Sequence, residues 1–392
     1  MVICVSTKTD AAASEWSIFD LVMRLRLWGT DLIRVLPAPP IDEWLVGAAV
    51  MCALRLDDPS GRISRVHARL VREHGRWVLR DLDSKNGLRL DGARRTEIVL
   101  EPGAEIGIGG LTLIAESARS VALRGFLSRL LGWRTDRIEV VDHALRSIRL
   151  AATRRTALVL CGDGDLVPTA RSIHRHAIGP DRPFIVCDPR RRPGKATVRS
   201  AENCETGMQA LAAAVGGSLC VRTQRLPRDF DAVVTALRDP GCRVQLVVCA
   251  QSPSDCEPYL AVPIVVPPLA GRADEIDRVI TEYAEDAMID LGARRSGFVS
   301  VDREWVRVHS AATLPDIEKG TLRLVAIRES RNISNAAARL GMAPVSLSRW
   351  LERREVRRCP MRAGGEPMPG IDAMSRPSPR VGVACAPHAP RR

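Results

Sequence analysis

The feature that most constrains this chain is a change of rhythm between residues 117 and 157. From Leu32 to about Ser117 the apolar residues fall in short alternating runs broken by Gly, Asp and Pro. These runs are Leu32–Leu36, Leu54–Leu56, His67–Arg72, Trp77–Asp81, Thr96–Leu100, Glu105–Ile108 and Leu111–Ala115. Many short strands with turn residues between them read as a β-sandwich. From Ala157 to Leu291 the runs are continuously apolar: Ala157–Cys161, Phe184–Cys187, Ser218–Val221, Val244–Cys249 and Ile264–Val266. Helical stretches alternate with them, which is the pattern of a parallel α/β sheet. Ser120–Arg155 reads as helix, with Leu123, Leu127, Leu130 and Leu131 as its apolar positions, and Asp302–Val356 reads as all helix. The expected organisation is multidomain: an N-terminal extension (1–31), a β-sandwich (32–117), a helical linker (118–156), an α/β domain (157–300), an all-α module (301–357) and a disordered basic tail (358–392).

A length of 392 residues is too great for one ordinary domain, and 45% hydrophobic with 27% charged residues is the balance of a soluble globular protein. No apolar run reaches the length of a membrane span, and the start lacks the order of a secretory signal, so a cytoplasmic protein without a membrane partner is expected. The net charge of +12 raises nucleic acid as a partner. Lysine occurs only at positions 8, 85, 195 and 319, so nearly all of the positive charge is Arg. From Arg353 to Arg392 nine Arg face three acids, half of the net charge. The eleven cysteines form no CxxC pair and no Cys/His cluster. Cys242, Cys249 and Cys256 are evenly spaced but have no His with them. They read as reduced thiols, and neither a metal nor a cofactor is expected.

The run Ser64-Arg65-Val66-His67-Ala68, followed by Trp77, Asp81-Leu82-Asp83-Ser84-Lys85-Asn86-Gly87 and Asp91-Gly92, closely resembles the forkhead-associated (FHA) domain over residues 32 to 116. The resemblance implies a β-sandwich whose loops bind phosphothreonine peptides. Ser64 and a guanidinium from Arg62 or Arg65 would donate to phosphate oxygens, since charge-assisted hydrogen bonds are the strong ones. Asn86 would pair with peptide backbone, and His67 would support the loop from beneath. One position departs from the pattern. Where the family carries Gly-Arg with a phosphate-clamping Arg, this chain has Gly47-Ala48, and Leu88 stands where Thr often follows Asn-Gly. Losing an Arg–phosphate pair removes about 1.5–3 kcal/mol. Arg62 could compensate in part.

The stretch from Cys161-Gly162-Asp163-Gly164-Asp165-Leu166 to Arg171-Ser172-Ile173-His174 follows a strand and opens a helix. With Pro183–Cys187, Gly216–Leu219, Val265–Leu269 and Arg272–Ile276, it looks like the AAA+ domain of bacterial sigma-54 enhancer-binding activators over residues 136 to 290. A working phosphate loop needs Lys at its end, and a metal-binding acidic pair further on. Here Leu166 holds the Lys position, Asp165 precedes it, and Arg222-Thr223 replaces the acidic pair. The segment Pro189–Asn203 stands in place of the family's long sigma-contacting loop. The domain is therefore expected to be catalytically inactive, and the chain is not expected to be an enzyme. His174 and His176 are expected at the surface.

Asn332-Ile333-Ser334 reads as a cap on the short helix Asn335–Leu340. Gly341 supplies a left-handed turn, and Pro344 opens a second helix with Leu347 and Leu351 inward. This helix-turn-helix offers Ser346, Ser348, Arg349 and Arg353 to a DNA groove. The run Asn332–Met342 with Ser346–Leu351 resembles the Fis-type DNA-binding domain that ends sigma-54 activators. A fragment from about Asp302 to Arg358 is expected to fold by itself.

Together these readings describe a cytoplasmic bacterial transcription regulator. Its partners would be double-stranded DNA and a phosphothreonine-containing protein, with a homodimer left open. The alternative is a phosphothreonine-dependent scaffold whose C-terminal helices bind protein rather than DNA.

Overall fold

The computed structural model describes residues 20–154, 156–255 and 262–353. Arg357, Arg358 and the tail 358–392 lie outside them, as do residues 1–19 and Cys256.

The first unit is a sandwich of two sheets. It comprises β1 (Val22–Leu27), β2 (Ile33–Val35), β3 (Glu43–Gly47), β4 (Leu54–Arg55), β5 (Ala68–Glu73), β6 (Arg76–Asp81), β7 (Leu88–Leu90), β8 (Ala93–Arg95), β9 (Glu97–Val99), β10 (Glu105–Ile108) and β11 (Leu111–Ser117). One sheet has the order β2-β1-β11-β10-β7-β8 and the other β4-β3-β5-β6-β9. Alternation does what it should. Ala68 and Leu70 of β5 are buried while Arg69 between them is exposed. Their partners across the ladder are Asp81 and Leu79, and Leu79 joins Val46, Leu88, Ile106 and Ile108 in the core.

The sandwich begins at Val22, which corrects the expected extension 1–31. β1 lies inside its sheet, paired on one side with β11 and on the other with β2. Its sequence, VMRLRL, hides the strand because Arg26 occupies a fully buried position. Burial of that charge depends on partners in a distant element, so alternation alone does not show it.

Next come α1 (Ala118–Leu131) and α2 (Ile138–Arg154), then β12 (Leu158–Cys161), α3 (Val167–Ala177), β13 (Phe184–Cys187), β14 (Glu202–Cys204), α4 (Gly207–Ala213), β15 (Ser218–Arg222), α5 (Phe230–Leu237), β16 (Gln245–Ala250), β17 (Ile264–Val265) and α6 (Ile276–Asp290). The strands form a parallel sheet in the order β14-β13-β15-β16-β12-β17. Both faces are covered, which is why the strands read as unbroken apolar runs. Leu158 and Leu160 face one core, and Val159 and Cys161 face the other.

Residues 118–156 are not a linker. Leu123, Phe126, Leu127, Leu130 and Leu131 of α1 and Val141, Ala144 and Ile148 of α2 belong to the same core as Leu158, Leu160 and Val247 of the sheet.

The C-terminal region is helical: α7 (Ser300–His309), α8 (Leu314–Arg328), α9 (Ile333–Arg339) and α10 (Pro344–Glu352). Its boundary with the α/β domain is not at residue 300. Leu314, Ile317 and Leu324 of α8 pack into the core shared with the sheet, while Leu322 and Val325 pack with α9 and α10. A fragment beginning at Asp302 would strip the apolar face of α8 of its partners, so the expectation that it folds alone does not survive. Among the described residues no helix is long and apolar enough to cross a membrane.

Candidate functional site

Two loops of the sandwich meet at one edge: residues 58–67, leading into β5, and residues 82–87, leading into β7. His67 is fully buried and holds both. Its Nδ1 accepts from the Ser64 backbone N–H at 3.1 Å, which leaves the proton on Nε2. Nε2 faces the Ser84 hydroxyl at 2.9 Å and the Gly87 carbonyl at 3.2 Å. Ser84 Oγ donates in turn to Asp81 at 2.5 Å and accepts from the Gly87 N–H at 2.9 Å. Its one donor and two acceptor sites are all used, so the ladder is fully satisfied.

Above this ladder the loops tie to each other. Asn86 Nδ2 donates to the Arg62 carbonyl at 2.7 Å, and Ser64 Oγ accepts from the Lys85 N–H at 3.2 Å. Asn86 keeps one amide proton and its carbonyl oxygen for a ligand, and Ser64 keeps its hydroxyl proton. Arg62, Arg65 and Lys85 are exposed, and Ser64 and Asn86 are half-buried. Asp58 organises the approach to Arg62 by accepting from the N–H groups of Ser60, Arg62 and Gly110. The Ser60 hydroxyl, followed by these backbone donors, holds the Asp58 carboxyl below its usual range against the opposing effect of burial. The four residues expected to read phosphate, Arg62, Ser64, Arg65 and Asn86, thus lie on two adjoining loops.

Residue 48 adjoins the same place. The Ala48 N–H donates to the Ser64 carbonyl at 3.1 Å and the Ala49 N–H to the Arg65 carbonyl at 2.9 Å. A Cβ on Gly47 would stand 2.4 Å from the Arg65 carbonyl oxygen, so only glycine permits this approach. Two further cations stand here that the sequence reading left out of the site. Lys85 is one. Arg94 is the other: its guanidinium lies against Gly87, with Nε 2.8 Å from where a Cβ would be. The signal for Arg94 was present. Asp91-Gly92, both with positive φ, make a two-residue hairpin turn whose register places Arg94 opposite Arg89.

The FHA domain family matches residues 44–109. These residues form an FHA domain. Solved structures give similar matches, each over about a quarter of this chain. The FHA-1 domain of Mycobacterium tuberculosis Rv1747 is 30% identical over 24% of this chain and 93% of its own, with a TM-score of 0.21. An FHA domain studied for phosphothreonine-dependent interactions is 26% identical over 24% of this chain and 93% of its own, with a TM-score of 0.22. Mycobacterium tuberculosis EmbR, solved with a low-affinity phosphopeptide, is 24% identical over 24% of each chain, with a TM-score of 0.22. No curated protein matches the chain.

Beyond the FHA domain, the loop between β12 and α3 lies at the C-terminal edge of the parallel sheet. Leu166 is buried and packs into the core. Arg222, at the end of β15, bridges Asp165 at 2.8 Å and the fully buried Asp188 at 3.1 Å, and Arg225 reaches the same Asp188 oxygen at 3.0 Å. Burial works to raise the Asp165 pKa, but the charge and hydrogen bond of Arg222 overcome it and leave the carboxyl below its ordinary value. This edge is closed by ion pairs. His174 is not at the surface. It is buried, with Nδ1 2.8 Å from Ser218 Oγ and Nε2 3.1 Å from the Arg182 carbonyl, and burial holds its pKa down. His176 is half-buried. Among the described residues no cluster of His, Cys, Asp or Glu could hold a metal.

At the C-terminus Asn332 Oδ1 caps α9 by accepting from the Asn335 N–H at 2.8 Å. Gly341, at φ 63°, turns the chain, and Pro344 opens α10. Leu347 and Leu351 are buried. Ser346, Arg349 and Arg353 are exposed and recur on one helical face. Ser348 is half-buried and does not share that face, about 200° round the helix from Ser346.

Proposed function

We propose that this chain is a non-catalytic regulator whose FHA domain binds a phosphothreonine-containing protein and whose α9–α10 pair binds double-stranded DNA. The observation that carries the first part is the meeting of Ser64, Arg62, Arg65, Lys85 and Asn86 on loops locked by the buried His67. A phosphate dianion needs several converging donors that lose little freedom on binding; Ser64 and Asn86 are held by hydrogen bonds, and the three cations extend from the same two loops. Ala48 removes one clamp, so the intrinsic affinity is modest.

In this reading the α/β domain is a degenerate AAA+-like unit and the order of parts follows that of sigma-54 activators. The bridge from Arg222 to Asp165 and Asp188 supports a domain without ATP turnover. The exposed face of Ser346, Arg349 and Arg353 supports a Fis-like recognition helix. The test is a paired titration of the full chain. A phosphothreonine peptide is expected to bind where its unphosphorylated twin does not, and duplex DNA to bind with a steep salt dependence. A chain that takes the phosphopeptide but no DNA at low salt is instead the scaffold whose terminal helices bind protein.

A further inference from the structure

The segment from Pro189 to Ser200 carries Arg190, Arg191, Arg192, Lys195 and Arg199 with no acid among them. All five side chains are exposed. The nearest preceding acid, Asp188, is fully buried and already paired with Arg222 and Arg225, so it does not neutralise them. The segment is nevertheless held in a defined shape. Asn203, buried in β14, donates to the carbonyls of Asp188, Arg191 and Arg192, and pairs through its backbone with Gly194. Thr197 and Ser200 close a turn, and Arg171 donates to the carbonyls of Thr197 and Val198. Its backbone is clamped by a buried Asn, so five cations project from one short, held segment.

Its position gives this charge a use. Thr197 packs on the turn between α9 and α10, with its Cβ and Cγ2 both 2.7 Å from where a Cβ on Gly341 would stand. Pro344 and Val345, which open α10 just beyond the turn, remain exposed, as do Ser346 and Arg349. The basic segment therefore flanks the N-terminal end of α10 without covering it. That is the end of a recognition helix that meets base edges, with phosphate contacts on either side.

We propose that the Pro189–Ser200 segment is a second nucleic-acid contact, whose cations bind the phosphate backbone of the duplex that receives α10. This rests on the DNA reading of α9–α10 and extends it to a surface shared by two parts of the chain.

The experiment compares the full chain with a variant carrying Arg190→Gln, Arg191→Gln, Arg192→Gln, Lys195→Gln and Arg199→Gln. Asn203 holds this segment through backbone groups, so the clamp survives the substitutions, and circular dichroism checks that the fold does too. A smaller variant, Lys195→Gln with Arg199→Gln, leaves the residues clamped by Asn203 untouched. Affinity for a preferred duplex and for a random-sequence duplex is measured from low to moderate salt. The five-site variant is expected to weaken both duplexes alike, by about tenfold or more, and to flatten the plot of log K against log salt by roughly 0.9 for each phosphate that is no longer neutralised. Arg349→Ala is expected to lose discrimination while keeping the slope. Wild-type binding that the five-site variant retains, with the same affinity and slope, overturns this inference and leaves the DNA reading standing. A wild-type chain that binds no duplex at low salt ends both. Polyglutamate that binds as tightly as the duplex, and weakens by the same factor in the variant, would make the segment an acidic-polypeptide surface and overturn it as well.

Discussion

The Arg26 guanidinium donates to both carboxylate oxygens of Asp142, at 3.0 and 2.5 Å, and both side chains are fully buried. This pair crosses from β1 of the FHA sandwich to α2 of the α/β domain. Glu116 accepts from Arg26 Nε at 2.7 Å, and the Gly29 N–H donates to Asp142 at 2.9 Å. Around it Arg146 pairs with Glu105 and stacks 4.1 Å from the Trp28 ring, and Arg149 pairs with Asp91. The two domains meet through a charge network whose centre, Arg26 with Glu116 and Asp142, is desolvated.

Breaking one side of that network is expected to be costly, because the other side stays buried and charged. Arg26→Met leaves the buried Asp142 with the Gly29 N–H and Arg124 at 3.9 Å, while Glu116 keeps Arg24 at 2.7 Å, and is expected to destabilise by about 3–5 kcal/mol. Adding Asp142→Leu removes much of the stranded charge and is expected to recover part of the loss. Denaturant unfolding of Arg26→Met, Asp142→Leu and the double variant checks this. A double variant weaker by the sum of the single effects would show that the pair is not coupled.

At the FHA edge, Ser64→Ala and Arg62→Ala are each expected to weaken phosphothreonine-peptide binding. Ala48→Arg restores an arginine at the position whose N–H bonds the Ser64 carbonyl and is expected to strengthen binding by roughly tenfold or more. Calorimetric titration of phosphorylated and unphosphorylated peptides reads both. Equal affinity for the two peptides, in wild type and Ala48→Arg alike, would remove phosphate reading from this edge.

Arg222, at the position of the expected acidic pair, is engaged with Asp165 and Asp188. Purified protein is expected to hydrolyse no ATP above background with Mg²⁺, and to gain no thermal stability from ATP, as a tight ligand would confer. Turnover abolished by a substitution in residues 162–166 refutes this.

Glu318 should make stability depend on pH. Burial is the first cause that raises its carboxyl, from an ordinary 4.5 to about 7, and Asp286 and Asp290 add to it while Lys319 and Arg129 oppose it. The folded state therefore keeps a proton that the unfolded chain loses, and stability falls as pH climbs from the unfolded value toward 7. Glu318→Gln stays neutral throughout. It is expected to match wild type near pH 4 and to exceed it at pH 8, with the gap opening between these values. Unfolding curves across pH that show a constant gap would sink the assignment.

On DNA, Arg349→Ala in the full chain is expected to cost on the order of 1–3 kcal/mol on a preferred site and much less elsewhere. Competition binding between sites measures the difference. An equal loss on every sequence would place Arg349 on phosphate.

Local pattern was enough for the elements whose burial is local. The alternation of β5 and β6, the two-faced apolar runs of β12, β13, β15 and β16, and the Asn332 cap, Gly341 turn and Pro344 start were all legible in order along the chain. The loops that carry Ser64 and Asn86 were found through the resemblance of their motifs to the FHA domain. β1 was not legible, since Arg26 breaks its apolar face and its charge is balanced by Glu116 and the remote Asp142. Arg94 was missed because its place over Gly87 follows from hairpin register. His174 reads as a polar helix residue until Ser218 and the Arg182 carbonyl close around it. The same reason explains the misread linker at 118–156 and the supposed independence of the last helices. An amphipathic helix shows that it has a buried face. Which surface buries it is decided by non-local packing, and here α1, α2 and α8 turn that face to the sheet.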